Sequence, residues 1–292
     1  MKKFGRFAAC AAFTLFAFVS IPMLAQAVPV VFSVGGDSTP ASIQTTVTNF
    51  QNAVGNPNNG NGAGVTSGRR EINWDGGGGV PNNAPGGTPF TVFLNTRGAL
   101  ITTPAPGTGF IQAPPTGAPD GGLATFFGNA TYATIFSTFS PLRLFTPVGS
   151  NITDVTFFIP GTNGVVPATV TAFGSVFTDV DLANTTSIQY FNPAGASLGT
   201  FFAPTGTVAN GSLSFLGVGF NQGELIGRVR ITTGNTALGA TANDGAGTDL
   251  VVMDDFIFSE PGRIPEPVSL LLLAFGLGVF GIAGMHRRSE KS

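Results

Sequence analysis

Residues 225–232 read Leu-Ile-Gly-Arg-Val-Arg-Ile-Thr. Leu225, Gly227, Val229 and Ile231 fall on one side of an extended chain, and Arg228, Arg230 and Thr232 on the other. Successive side chains of a strand point to opposite faces, so this stretch predicts a strand with one face in a core and one in water. Working outward, Val155, Phe157 and Ile159 alternate, as do Val170, Ala172, Val176 and Val180. Residues 188–191 and 198–202 flank Asn192-Pro193-Ala194-Gly195 and predict a hairpin. Residues 212–220 and 250–258 add two more strands. Short strands divided by Gly, Pro and Asn turns predict a mainly β protein, an antiparallel β-sandwich or jelly roll spanning 28–262. The strands are expected from residue 142 onward.

One helix is expected outside the sheets. Ile43, Val47, Phe50 and Val54 recur at helical spacing, with Thr39 as N-cap, Pro40 at the first position and Gly55 as the stop. This predicts one amphipathic helix over about 40–54. Its polar side is Gln, Thr and Asn, unlike a cationic membrane-surface helix.

Charge is divided along the 292 residues. The body, 28–262, has six Arg, no Lys and thirteen acids, a formal charge of −7, while both ends are basic. Such a body is a poor partner for nucleic acid or an anionic membrane. The single Cys is Cys10 and the single His is His286, both near the termini. Disulfides, thiol or Schiff-base chemistry, His triads and His/Cys zinc sites are therefore excluded from the body. Twenty-eight Phe, most of them in the body, supply a core despite 42 Gly and 21 Pro.

The ends read as addresses. Lys2, Lys3 and Arg6 precede an apolar run at 7–19, and Ala25 and Ala27 supply small residues at −3 and −1 of a cleavage site before Val28. That is the pattern of a secretory signal peptide over 1–27. At the other end Pro265, Glu266 and Pro267 precede eighteen uncharged residues, 268–285, and then Arg287 and Arg288. Eighteen residues at about 1.5 Å each just cross a hydrocarbon core, with the Arg pair retained inside. This predicts a C-terminal transmembrane helix and a body outside the inner membrane.

The order Pro-Glu-Pro, apolar helix, basic end over 263–288 resembles the PEP-CTERM sorting signal of Gram-negative bacteria. That resemblance implies export by the secretion machinery, a passing anchorage in the inner membrane and processing by exosortase near Pro265-Glu266-Pro267. It implies final placement at the cell surface or in the exopolysaccharide matrix. Residues 68–76 and 252–258 look like segments of secreted bacterial proteins that often carry this tail. The strand pattern over 140–260 resembles carbohydrate-binding-module-like jelly rolls, without a diagnostic sugar-binding motif.

Candidate site residues follow from chemistry. Trp74 can offer an aromatic face to a sugar, and Arg69 and Arg70 can clamp an acidic polysaccharide. A glycan-active hydrolase needs only two carboxylates about 5–10 Å apart. Glu71, Asp75, Asp179, Asp181, Glu224, Asp254 and Asp255 are the candidates. Asp179 and Asp181 share a face but read more simply as solvated charges at a strand edge. The expected function is therefore a non-catalytic binding or structural module, the hydrolase being the alternative.

Asp254 and Asp255 pose a separate question. The strand around them is apolar on both faces, so simple alternation gives each face one buried Asp. A buried carboxylate must be protonated, paired or metal-bound. Two expectations stand side by side. One is a structural calcium joining Glu71 or Asp75 to Asp254 or Asp255, an arrangement the jelly-roll resemblance implies. The other is a salt bridge from Arg70 or Arg230.

The end signals predict a mature protein that begins near Val28 and has lost the segment after Pro267. Intact mass spectrometry of surface-extracted protein checks this. A species still ending at Ser292 would mark a permanent anchor instead.

Overall fold

A computed structural model describes residues 28–76, 84–117, 120–245 and 247–264. The expected signal peptide, 1–27, and residues 265–292, with the expected sorting motif and transmembrane helix, lie outside them. Among the described residues no helix is long and apolar enough to cross a membrane.

The first half of the described chain carries β1 (Pro29–Gly35), α1 (Ala41–Val54), β2 (Arg69–Ile72), β3 (Ala84–Gly86), α2 (Leu94–Arg97), β4 (Ala99–Thr102) and β5 (Gly109–Ala113). Then come α3 (Gly122–Phe127), α4 (Tyr132–Ile135), β6 (Leu144–Val148), β7 (Ile152–Phe157), β8 (Ala168–Thr169) and β9 (Ala172–Thr178). The rest are β10 (Ser187–Phe191), β11 (Ser197–Phe202), β12 (Leu213–Phe220), β13 (Arg228–Thr232), β14 (Val252–Ser259) and β15 (Gly262–Arg263). Two antiparallel sheets form a sandwich. The larger runs β1-β12-β9-β14-β6-β5-β3, with β2 also on β14, and the smaller β11-β10-β13-β7-β4.

Phenylalanines fill the space between the sheets. Phe157 of the small sheet meets Phe258 of the large one at 5.5 Å between ring centroids, and Tyr190 meets Phe220 at 5.7 Å. The outer face of the small sheet stays open to water, so β10 and β13 alternate buried and part-exposed residues. Val229 and Ile231 face the core as expected, while Arg228 and Arg230 share Asp154 of β7 on the outer face. The regular strand begins only at Arg228, and Ile226 enters the core ahead of it through a bridge to Val170.

The large sheet is covered on both faces. α1 lays Ile43, Val47 and Phe50 on Ala172, Val176, Leu213, Phe215 and Ile257. Beside it α3, α4 and Leu238 cover Ile111, Ala113, Leu144, Leu250 and Val252. Hence β9 is buried at every position and β14 at all but one, as near-continuous apolar runs between two layers must be. α1 is the predicted helix, ended by Gly55, whose amide bonds to the Gln51 carbonyl. Thr39 does not cap it: its amide and hydroxyl both donate to Asp37, and Pro40 takes the cap position.

The fold differs from the sequence expectation in its first half, where β1 to β5 lie ahead of residue 142. β3 contains Pro85 and closes one edge of the large sheet, a place where a missing N–H costs little. Trp74 is a second correction. It is wholly buried, stacked on Phe145 at 3.8 Å, and its indole N–H donates to the Asp254 carbonyl at 2.7 Å. Its face is taken by the core and is not presented to a sugar.

Phe50 sits over a pair of facing glycines, Gly174 and Gly217. A Cβ on Gly217 would lie 2.7 Å from the Phe50 ring and one on Gly174 2.8 Å. Two predictions follow from this niche. Phe50→Ala should cost about 3–5 kcal/mol in chemical denaturation. Gly217→Ala should cost about 1–3 kcal/mol by overpacking, and the double variant should cost less than the sum. Full additivity would mean that ring and glycines do not share a contact.

Candidate metal centre

The buried charges are fixed by specific partners. Arg70, wholly buried, pairs with Glu260 through two bonds of 2.6 and 2.7 Å. Its remaining N–H groups donate to the carbonyls of Gly60, Ala63 and Thr96. Glu260 in turn accepts from Asn59 and the Val65 amide. The pair thus nails the turn-rich 56–68 loop to the end of β14. Arg69 pairs with Glu71 and donates to the Gly55 carbonyl. Arg70 is therefore corrected from glycan contact to internal strut, and Arg69 is mostly committed to the same loop.

The four acids expected around a calcium are divided. Glu71 faces Arg69 and accepts from Gln51. Asp75 Oδ1 accepts from the amides of Leu142 and Arg143 at 2.6 and 2.8 Å. Asp254 Oδ2 accepts from the Phe139 amide at 2.6 Å. The Ser140 hydroxyl lies 2.6 Å from Asp255 Oδ1 and 3.3 Å from Asp254 Oδ1. Simple alternation fails here because the register of β14 shifts between Met253 and Phe256. That bulge brings both carboxyls to the same serine instead of sending one to each face. The expected salt bridges do not form: Arg70 belongs to Glu260 and Arg230 to Asp154. Each of the four acids has an oxygen met by a protein donor, counting the Ser140 hydroxyl for Asp255, while Asp75 Oδ2 is buried without one.

A different group has the geometry of a cation site. Among the described residues, Asp179, Asp181 and Asp244 offer carboxylate oxygens that all lie within 4.8 Å of one another. Oxygen ligands at about 2.3–2.6 Å from a single ion span that separation. Asp179 follows β9 directly, in a left-handed conformation with φ +70°, and its amide donates to the Ser212 carbonyl. Its Oδ1 accepts from the Gly211 amide at 2.9 Å, and its Oδ2 is sealed from solvent with no hydrogen-bond partner. Asp181 lies two residues on, its amide bonded to Asp249 Oδ1 at 2.9 Å. Asp249 also accepts from the Thr185 hydroxyl. Asp244 comes from the 235–249 loop, its Oδ1 accepting from the Leu250 amide.

The electrostatics agree with the geometry. Burial chiefly, with the fields of Asp181, Asp244 and Asp249, pushes Asp179 up to about 8 against the Gly211 hydrogen bond. Asp181 is pushed up to about 6 by burial and then by Asp244 and Asp249. Among the described residues Arg70, Arg228 and Arg230 are paired with other acids, and a hard cation with oxygen ligands would relieve this group. The reading of solvated edge charges is corrected for Asp179, which is fully buried, while Asp181 is part-exposed. Sequence reasoning missed Asp244 and Asp249. The available signal was Asp-Val-Asp at a strand exit together with Asp-Gly-Ala-Gly-Thr-Asp at 244–249.

Compared with known proteins, the chain matches no family model, no curated protein and no solved structure, so the centre stands on its own geometry.

The Asp254–Asp255 pair predicts an unusual pH response. Asp255 is raised from 3.8 to about 6, by burial first, with Glu71 and Asp75 adding and the bonds from Ser140 and Asp254 opposing. Asp254 is raised as well, by burial and then by Asp255. Between 3.8 and about 6 the folded state holds more protons than the unfolded one, so this group's stability contribution falls as pH rises through that window. At pH 7.5 Asp255→Asn should therefore melt above the wild type by the equivalent of about 1–3 kcal/mol. The gap should close at or below pH 4. A calorimetric scan in which the variant melts lower at pH 7.5 would reject the assignment.

Proposed function

We propose that the chain is an exported protein of the cell surface or exopolysaccharide matrix, whose β-sandwich is a non-catalytic binding or structural module. The end signals give the route: a leader at 1–27, then Pro265-Glu266-Pro267 with an apolar segment and a basic end for exosortase. The observation that carries the module reading is the use made of its charges. Glu260, Asp154, Glu71, Asp75 and Asp254 each tie one segment of chain to another, Glu71 through Gln51 of α1. A catalytic carboxylate needs an approach for substrate, whereas these acids are struts.

Calcium belongs to this reading. The centre is all oxygen, and calcium is the hard cation that accepts several carboxylates and carbonyls in irregular arrangement. We assign it to Asp179, Asp181 and Asp244, whose carboxylate oxygens converge within 4.8 Å, in preference to the Glu71, Asp75, Asp254 and Asp255 group, which among the described residues shows no such convergence. The likeness to carbohydrate-binding jelly rolls makes an exopolysaccharide the ligand class. Among the described residues both sheets are antiparallel, which suits that likeness.

A glycan panel with the purified full chain separates the module from the alternative hydrolase. The expected result is saturable retention of one or more acidic or neutral polysaccharides with no release of reducing ends. Release of reducing ends that disappears in Asp181→Asn would establish the hydrolase.

A further inference from the structure

The 235–249 loop is held mainly by polar contacts. Its base is closed by Asn235 and Asp249, which exchange backbone and side-chain bonds of 3.1 and 2.9 Å. Asn235 Nδ2 also reaches the Gly247 carbonyl at 2.8 Å. Its middle lies on α4 and the turn before it. The Tyr132 hydroxyl donates to the Gly239 carbonyl at 2.8 Å and accepts from the Gly239 amide at 3.0 Å. Asn129 Nδ2 donates to the Ala242 carbonyl at 2.7 Å. Leu238 is the single large apolar residue in this loop, which carries Gly239, Gly245 and Gly247. So little apolar surface anchors it that its docking is weakly favoured.

Docking also has an electrostatic obstacle. It carries Asp244 to within 4.8 Å of Asp179 and Asp181. Asp179 is fixed in place by the Ser212 carbonyl and the Gly211 amide, and its sealed Oδ2 has no protein partner. That orphan oxygen, wholly buried in a body without Lys or His, points to a ligand from outside the chain. Among the described residues Arg70 is committed to Glu260, Arg69 to Glu71, and Arg228 and Arg230 to Asp154.

We propose that Asp179, Asp181 and Asp244 hold one calcium ion that clasps the 235–249 loop to the exit of β9. The loop and the α3–α4 layer beneath it are then fixed only where calcium is plentiful. This inference rests on the calcium reading above and adds to it a mechanism. The ion joins two segments of chain more than sixty residues apart, one leaving the large sheet and one covering it. Tyr132 and Asn129 transmit the docked state to α4. A module made inside the cell and used outside would thus complete its outer layer after export.

The test uses the full chain in detergent, stripped of metal and titrated with calcium chloride. Calorimetric titration should give one saturable site. Calcium about a hundredfold above Kd should raise the melting temperature by about 5–10 °C. Hydrogen–deuterium exchange should slow at least tenfold in peptides covering 235–249 and 122–136. Asp244→Asn keeps an acceptor for the Leu250 amide and leaves the sheets untouched, so it should fold and lose all three responses. Asp255→Asn should keep them. Saturable calcium binding without slowed exchange in the loop would overturn the clasp and leave the calcium reading standing. Absence of saturable binding would overturn both. A response lost in Asp255→Asn and kept in Asp244→Asn would move the ion to the other acidic group and refute the inference. Equal protection by magnesium at the same concentration would refute the choice of calcium.

Discussion

Burying carboxylates in a body that has six Arg and no Lys or His is the constraint on which this structure depends. An ionised carboxylate taken out of water must be met by donors or by opposite charge, and the cost of leaving it bare is several kcal/mol. Four of the buried acids each have their own answer. Glu260 has Arg70, Asp154 has Arg228 and Arg230, Asp254 has the Phe139 amide, and Asp249 has the Asp181 amide and Thr185. Because those partners come from distant segments, answering the charge also positions the chain. The 56–68 loop is long and rich in Asn and Gly, yet Arg70 and Glu260 hold it through at least five bonds to its carbonyls, amides and side chains. Among the described residues Asp179 and Asp75 each keep one buried oxygen that the chain does not answer, and Asp179 is the one grouped with two further carboxylates within 4.8 Å.

Layering sets which parts of this were legible in the sequence. β13 alternates because one face of the small sheet meets water, and residues 225–232 show that period directly. α1 is legible for the same reason, since Ile43, Val47 and Phe50 repeat at helical spacing on a single covered face. The hairpin of β10 and β11 is marked by its turn residues. β1 to β5 were not legible: β2 and β3 have only four and three residues, and the five residues of β5 are all buried, so no alternation survives. Their strand character comes from pairing with distant partners such as β14 and β6.

The candidate site was half legible, for related reasons. Asp179 and Asp181 stand out by their spacing, but exposure is decided by the segments that return over them, Gly211 and the 235–249 loop. Nothing local in the sequence states that return. Asp254 and Asp255 were legible as buried acids, yet the bulge that turns both toward Ser140 is a property of register, and alternation alone misassigns them. Trp74 followed the common fate of a lone tryptophan: its ring completes the aromatic core between Phe145, Phe93 and Phe256.

The cohesion of this sandwich needs no disulfide, its interior is aromatic, and its loops are tied by charge-assisted bonds that resist fraying. The unanswered oxygen of Asp179 is where the surroundings enter the structure. The most direct test is a crystal structure of the protein grown with calcium, with anomalous differences collected to locate the ion. The account predicts a peak about 2.3–2.6 Å from carboxylate oxygens of Asp179, Asp181 and Asp244. An ion among Asp75, Asp254 and Asp255, or a protein side chain seated on Asp179 Oδ2, would contradict it.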